Sequence, residues 1–193
     1  MKLVHISAEQ LLNDSFALAL QILNSGYSPD LLVGIWRGGT PIAIAIHEAL
    51  EFSGLPCAHC VLQVSSYTGI GSRQKVQMND IGALVTKAGV CKRLLLVDDV
   101  FDSGQSMSSI ISHLQHACGD NMPEVKIAVP YYKPANNTTS LTPDFYLYKS
   151  SAWLVFPHEL VNLEEAELRQ KPGLGAIVEQ FLELRARNTG SNK

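Results

Sequence analysis

Two continuous apolar runs, Leu31–Trp36 and Leu94–Val97, are too short for helices and are bounded by polar or turn residues, as is the mostly apolar Val125–Pro130. Runs of this kind predict strands buried on both faces, the pattern of a parallel sheet. Between them the spacing becomes helical. Ser7-Ala8-Glu9-Gln10 is a capping box, after which Leu12, Phe16, Ala19, Leu20 and Leu23 mark one apolar face before Gly26 and Pro29 close the element. Thr40 as cap and Pro41 in the first turn open a second helix with Ile42, Ala45, Ile46, Ala49 and Leu50 inside, ending near Gly54. A third carries Met107, Ile110, Ile111 and Leu114 on one face. A further strand is expected over 57–64, short ones over 145–148 and 153–156, and helices over 164–169 and 175–187, broken by Pro172-Gly173. Strands alternating with helices predict an α/β domain with a mainly parallel sheet flanked by helices. A single domain over 1–187 with a frayed tail over 188–193 follows, and the polar stretch 65–79 is expected to be a functional loop or a hairpin.

Composition narrows the class. With 46% apolar and 17% charged residues in 193, the chain is neither disordered nor fibrous. A formal net charge of −3 argues against a protein that grips nucleic acid through its phosphates. No apolar run reaches the ~20 residues of a membrane span, and Met1-Lys2-Leu3-Val4-His5 does not open a signal peptide. A cytoplasmic protein with no membrane partner is therefore expected. Cys57, Cys60, Cys91 and Cys118 fit reduced thiols there, and Cys57-Ala58-His59-Cys60 has no second close pair to complete a zinc site. Asn136-Asn137-Thr138 matches a glycosylation pattern but reads more simply as a polar turn.

The chemistry concentrates where the Leu94–Val97 run ends. Asp98, Asp99 and Asp102 follow it, and Ser103-Gly104-Gln105-Ser106 leads straight into a helix. Small residues let backbone N–H groups converge, serine hydroxyls add donors, and the helix dipole favours an anion. That is a phosphate cradle. It is not a Walker loop, and Gly69-Ile70-Gly71 lacks the third glycine of a dinucleotide fingerprint. Neighbouring acids at a strand end call for hydroxyl donors or a cation, which a sugar or a magnesium-bound substrate would supply.

Leu95–Ser106 resembles the phosphoribosyl pyrophosphate (PRPP) motif of the type I phosphoribosyltransferases, and Gly34-Ile35-Trp36-Arg37-Gly38-Gly39 resembles their pyrophosphate loop. The resemblance implies that family's α/β fold with a small hood, here about 131–160. It implies a role for Arg37, Gly38 and Gly39 in holding pyrophosphate, often with a cis peptide before the residue matching Arg37. Asp98 and Asp99 would meet the ribose hydroxyls or metal-bound water, Ser103, Gly104, Gln105 and Ser106 the 5′-phosphate, and Asp102 would be the general base. Tyr132-Lys133-Pro134 followed by Trp153-Leu154-Val155-Phe156-Pro157-His158-Glu159 is similar to the base-binding hood of the hypoxanthine, xanthine and guanine branch. By that similarity Lys133 meets a 6-oxo group, Trp153 stacks on the purine, Leu154 offers backbone groups to its edge and Glu159 helps hold Mg2+. A homodimer or homotetramer and a mobile flap over 65–76 are also implied. Ser103 and Ser106 stand where threonines are common, Phe101 is bulky beside the motif, and His158 replaces a frequent aromatic. A PRPP- or nucleotide-sensing regulator and a transferase for another base stay open as alternatives.

Overall fold

The computed structural model describes residues 3–67, 75–79, 81–161 and 163–190. The chain forms two compact units, one of Leu12–Ser151 and one of Met1–Leu11 with Ala152–Lys193. Residues 131–151 of the expected hood thus belong to the larger unit and 152–160 to the smaller.

In chain order the elements are β1 (Leu3–His5), α1 (Ala8–Asn24), β2 (Leu31–Trp36), α2 (Gly39–Phe52), β3 (Ala58–Tyr67) and β4 (Lys75–Asn79). Then come α3 (Ile81–Ala88), β5 (Arg93–Val97), β6 (Val100–Phe101), α4 (Gln105–Cys118), β7 (Glu124–Tyr132) and β8 (Phe145–Lys149). The last are β9 (Trp153–Val155), α5 (Glu165–Arg169) and α6 (Gly175–Gly190). The larger unit is built on a sheet in the order β4-β3-β2-β5-β7, with β6 continuing the line of β5 against β7 and β8 also pairing β7. Among the described residues of this sheet only the β3–β4 pair is antiparallel. This is the mainly parallel α/β architecture expected.

Leu94, Leu95, Leu96 and Val97 are completely buried, because successive side chains enter opposite faces and both are covered. On one face Leu31, Val33, Leu94 and Leu96 join Leu84 of α3 and Met107, Ile110 and Leu114 of α4 in a continuous core. α2 packs along β2 and β5 with Ile42, Ala45, Ile46 and Leu50 buried.

Several sequence expectations need correction. In α1 the buried row is Leu11, Asp14, Ser15, Leu18, Ala19 and Ile22, whereas Leu12, Phe16 and Leu20 are exposed. Both rows run at helical spacing, and the polar Asp14 wins a buried place because its carboxylate accepts hydrogen bonds from Tyr131 and Tyr148 at 3.3 and 3.0 Å. Ser7 does cap this helix, its Oγ accepting from the Gln10 N–H at 3.0 Å. The strand expected over 57–64 is β3, which runs on to Tyr67 and pairs antiparallel with β4, Ser65 opposite Gln77, so the described parts of the polar stretch are paired strands. Most of the expected flap, residues 68–74, lies outside the described residues. β1 and α3 have no counterpart in the sequence reading, and α6 continues three residues past Arg187.

Candidate active site

The β5–α4 junction is shaped by a break in one ladder. β5 pairs β7 from Arg93 opposite Glu124 to Val97 opposite Ala128, and β6 resumes in the same register with Val100 opposite Tyr131. Asp98 and Asp99 therefore fall across from Val129 and Pro130, and a proline offers no N–H to the ladder. Asp98 still donates its N–H to Ala128 O at 3.2 Å, and the ladder is interrupted beyond it, at Asp99. The chain re-enters at Val100, and the ring of Phe101 after it is buried edge-on against Tyr132 at 5.5 Å and forms part of the core. That burial accounts for the bulky residue beside the cradle.

Beyond Phe101 the chain turns at Gly104, which caps α4 with φ 78°. A Cβ there would approach Thr139 Oγ1 to 2.5 Å and the Phe101 ring to 2.9 Å, and the left-handed backbone itself favours glycine. The cradle amides thus run from Ser103 into the first residues of a fourteen-residue helix that starts at Gln105. The Ser103 Oγ accepts weakly from the Gln105 N–H at 3.4 Å.

The Arg37-Gly38-Gly39 loop lies against the same strand end. The Trp36–Arg37 peptide is cis, as the resemblance implies, and Arg37 is exposed. A Cβ on Gly38 would overlap the Asp99 carboxylate, and one on Gly39 would meet the Val97 carbonyl and the Asp98 Cα. The two glycines bring loop and acids into contact. Because Asp99 is a side chain that can swing whereas Val97 O is backbone, Gly39→Ala is expected to destabilise the fold by about 1–3 kcal/mol and Gly38→Ala by less. The shift in urea midpoint at constant slope measures both.

Asp98 accepts a hydrogen bond from the Asp99 N–H at 3.0 Å. Burial, and then the neighbouring charge of Asp99, hold its carboxyl well above the usual carboxylate range. Among the described residues no three His, Cys, Asp or Glu side chains gather as a metal cage. Two hard carboxylates under mutual repulsion nevertheless fit magnesium, which is commonly held by one or two carboxylates together with substrate phosphate oxygens.

Asp102 is held from two sides. Lys133 Nζ lies 3.1 Å from its Oδ2, and Asn136 Nδ2 donates to its Oδ1 at 2.7 Å. The Lys133 side chain is 9% exposed and that of Asp102 44%, so a buried ammonium reaches a half-open carboxylate. The Lys133 N–H also donates to Phe101 O at 2.9 Å, fixing the lysine where β7 leaves the sheet. Sequence reasoning separated Lys133 from Asp102 as base reader and proton acceptor, and missed Asn136. Their joining depends on β6 and β7 lying side by side.

In the larger unit, then, Arg37, Gly38, Gly39, Asp98, Asp99, Asp102, Ser103, Gly104, Gln105, Ser106 and Lys133 all lie on the loops after β2, β5, β6 and β7 or at the start of α2 and α4. Ligands of open α/β sheets bind at such strand ends.

The smaller unit holds Trp153, Leu154 and Glu159. β9 pairs β1 in parallel, with Trp153 half-exposed and Leu154 buried. Glu159 Oε2 accepts from the Phe156 N–H at 2.9 Å, and the buried Lys171 donates to Phe156 O. Desolvation lowers the Lys171 pKa, opposed by the charge of Glu159. His158 stacks on Phe156 with centroids 5.9 Å apart.

The phosphoribosyl transferase domain family matches residues 7–160. The chain is similar to the purine phosphoribosyltransferase of Pyrococcus horikoshii Ot3, at 27% identity over 85% of this chain and 99% of that one, with a TM-score of 0.64. It is also similar to a Neisseria gonorrhoeae protein with bound ppGpp (20% identity, 86% and 94% coverage, TM-score 0.65). A third likeness is the Helicobacter pylori xanthine-guanine-hypoxanthine phosphoribosyltransferase (22%, 80% and 91%, TM-score 0.56). None of the curated protein sequences matches this chain. Among the described residues no helix is long and apolar enough to cross a membrane.

Proposed function

Because the chain belongs to the phosphoribosyl transferase domain family, related to the purine phosphoribosyltransferases, we propose that it transfers the 5-phosphoribosyl group of PRPP to a 6-oxopurine. The products are the nucleoside 5′-monophosphate and pyrophosphate. The observation that carries the choice of base is the buried Lys133 ammonium, 3.1 Å from Asp102 at the edge of the phosphate cradle. A lysine only donates hydrogen bonds and so matches a carbonyl, not the amino group of adenine.

The base nitrogen N9 forms a bond to the anomeric carbon while the bond to pyrophosphate breaks and takes its electron pair with the leaving group. Positive charge grows on the ribose and negative charge on the diphosphate, so the site must favour both. Arg37 and the Gly38 and Gly39 amides hold the departing pyrophosphate. The amides after Gly104, with the hydroxyls of Ser103 and Ser106, hold the 5′-phosphate, which fixes the ribose for in-line displacement. Asp98 and Asp99 meet the ribose hydroxyls, whose donors relieve the repulsion between the two acids. Magnesium held through Asp98 and Asp99 would, when bound, supply positive charge against the diphosphate oxygens. Asp102 receives the proton that leaves the base at N7. The resemblance alone gives Trp153 the part of stacking on the purine, Leu154 that of backbone contacts and Glu159 that of a further metal ligand.

The test is pyrophosphate release from PRPP and Mg2+ in the presence of hypoxanthine, guanine, xanthine, adenine or orotate, one at a time. Release with at least one 6-oxopurine and not with adenine supports the proposal, and release only with adenine or orotate refutes it. A second reading, a regulator that holds a guanosine polyphosphate without turning it over, is favoured by the ppGpp on the Neisseria gonorrhoeae protein. It predicts tight ppGpp binding and no release with any base.

A further inference from the structure

The turn after Lys133 grips the reacting loop at two points. Asn136 closes a single short helical turn, Pro134–Asn136, and its Nδ2 donates to Asp102 Oδ1 at 2.7 Å. An ionised carboxylate can only accept, so the amide must present its NH2 group here. Two residues later, Thr138 donates to the Ser103 carbonyl through its N–H at 3.0 Å and its Oγ1 at 3.1 Å. The Gln105 side-chain amide in turn donates to Thr138 Oγ1 at 2.8 Å. One stretch of backbone therefore sets both the carboxylate and the first residues of the cradle.

We propose that Asn136 is the positioning residue for Asp102, and that the Asn136–Thr138 turn fixes the distance between the proton acceptor and the 5′-phosphate site. The inference rests on the proposed transferase reaction. Lys133 occupies one carboxylate oxygen and Asn136 the other, so rotation of the carboxylate plane about its bond to Cβ must break one of two contacts. The lone pairs left over point in directions set by the fold, ready for the N7 proton, while the electron pair of the N–H bond stays on the purine. Lys133 alone would leave the group free to pivot on a single contact. A displacement of about 1 Å in a reacting group can cost ~10² in rate, which is the scale on which such a clamp matters. Thr138 acts at the other end of the same turn, on the loop that meets phosphate and not on the acid.

The test compares Asn136→Ala, the near-isosteric Asn136→Asp and Thr138→Val by steady-state kinetics and by the pH dependence of kcat, each with its thermal melt recorded. Asn136→Ala is expected to lower kcat roughly tenfold with the KM for PRPP within about twofold. Asn136→Asp sets a like charge against Asp102, which raises its pKa, so the acid limb of kcat should move to higher pH as well. Thr138→Val should show the opposite split, a raised KM for PRPP with a smaller change in kcat. A role confined to stability would lower the melting temperature and leave the acid limb in place. Folded Asn136 variants with the parent's kcat and pH profile overturn this inference while the transferase reading stands. A parent inactive with every purine overturns both.

Discussion

Lys133→Ala is expected to reduce the preference for hypoxanthine over adenine, measured as the ratio of their kcat/KM values, by about 10²–10⁴-fold. A site built to donate to a substrate carbonyl can reject a mismatched analogue by ~10⁴ or more, because donor then faces donor in a place from which water is excluded. The Lys133 side chain is only 9% exposed, and a bound base would cover what remains open. Alanine would also leave Asp102 with Asn136 on one oxygen and no ammonium on the other, so turnover should fall for every base. That loss is common to both purines and cancels in the ratio. Trp153→Phe provides the contrast, since stacking adds affinity without choosing between purines. It should raise KM for both and leave the ratio unchanged. An unaltered ratio in Lys133→Ala would remove the lysine from base recognition.

Asp102→Asn should lower kcat by roughly 10²–10⁴-fold, the range for loss of a positioned general base, with PRPP affinity retained. Two neighbours give the substitution a second effect. The amide has one acceptor oxygen for two donors, Lys133 Nζ and Asn136 Nδ2, so its own NH2 group must face one of them. A donor left unsatisfied costs about 1–3 kcal/mol, and the half-open side chain admits water that brings the cost to the low end. A modest fall in melting temperature alongside the large fall in kcat is expected. Parallel losses of PRPP affinity and rate would instead mark Asp102 as a ligand-binding acid.

The parallel strands were legible because continuous apolar runs such as Leu94–Val97 have few other uses in a chain of this length. The cradle was legible for a similar reason, since Ser103-Gly104-Gln105-Ser106 combines small residues, hydroxyls and a helix start in four positions. α1 was harder to read because it carries two apolar rows, and its orientation is decided by Asp14. The tyrosines that bind Asp14 lie more than a hundred residues away in the sequence. α3 opens Ile81-Gly82-Ala83-Leu84-Val85, where glycine and β-branched residues weaken the local preference for helix. Tertiary packing of Leu84 and Ala88 makes up the difference. In the site, Pro130 was the one local cue to the ladder break, but its partner strand had first to be known. Asn136 and Thr138 read as a polar turn. Their partners Asp102 and Ser103 lie 34 and 35 residues earlier, so only the pairing of β6 with β7 reveals the clamp.

The most direct measurement is a phosphorus NMR time course of the purified protein with PRPP, Mg2+ and hypoxanthine. Pyrophosphate and a nucleoside 5′-monophosphate should appear in equal amounts as PRPP disappears, with no accumulation of ribose 5-phosphate. PRPP that persists unchanged, or that decays to ribose 5-phosphate and pyrophosphate without nucleotide under a base scan that includes guanine and xanthine, would contradict phosphoribosyl transfer to a 6-oxopurine.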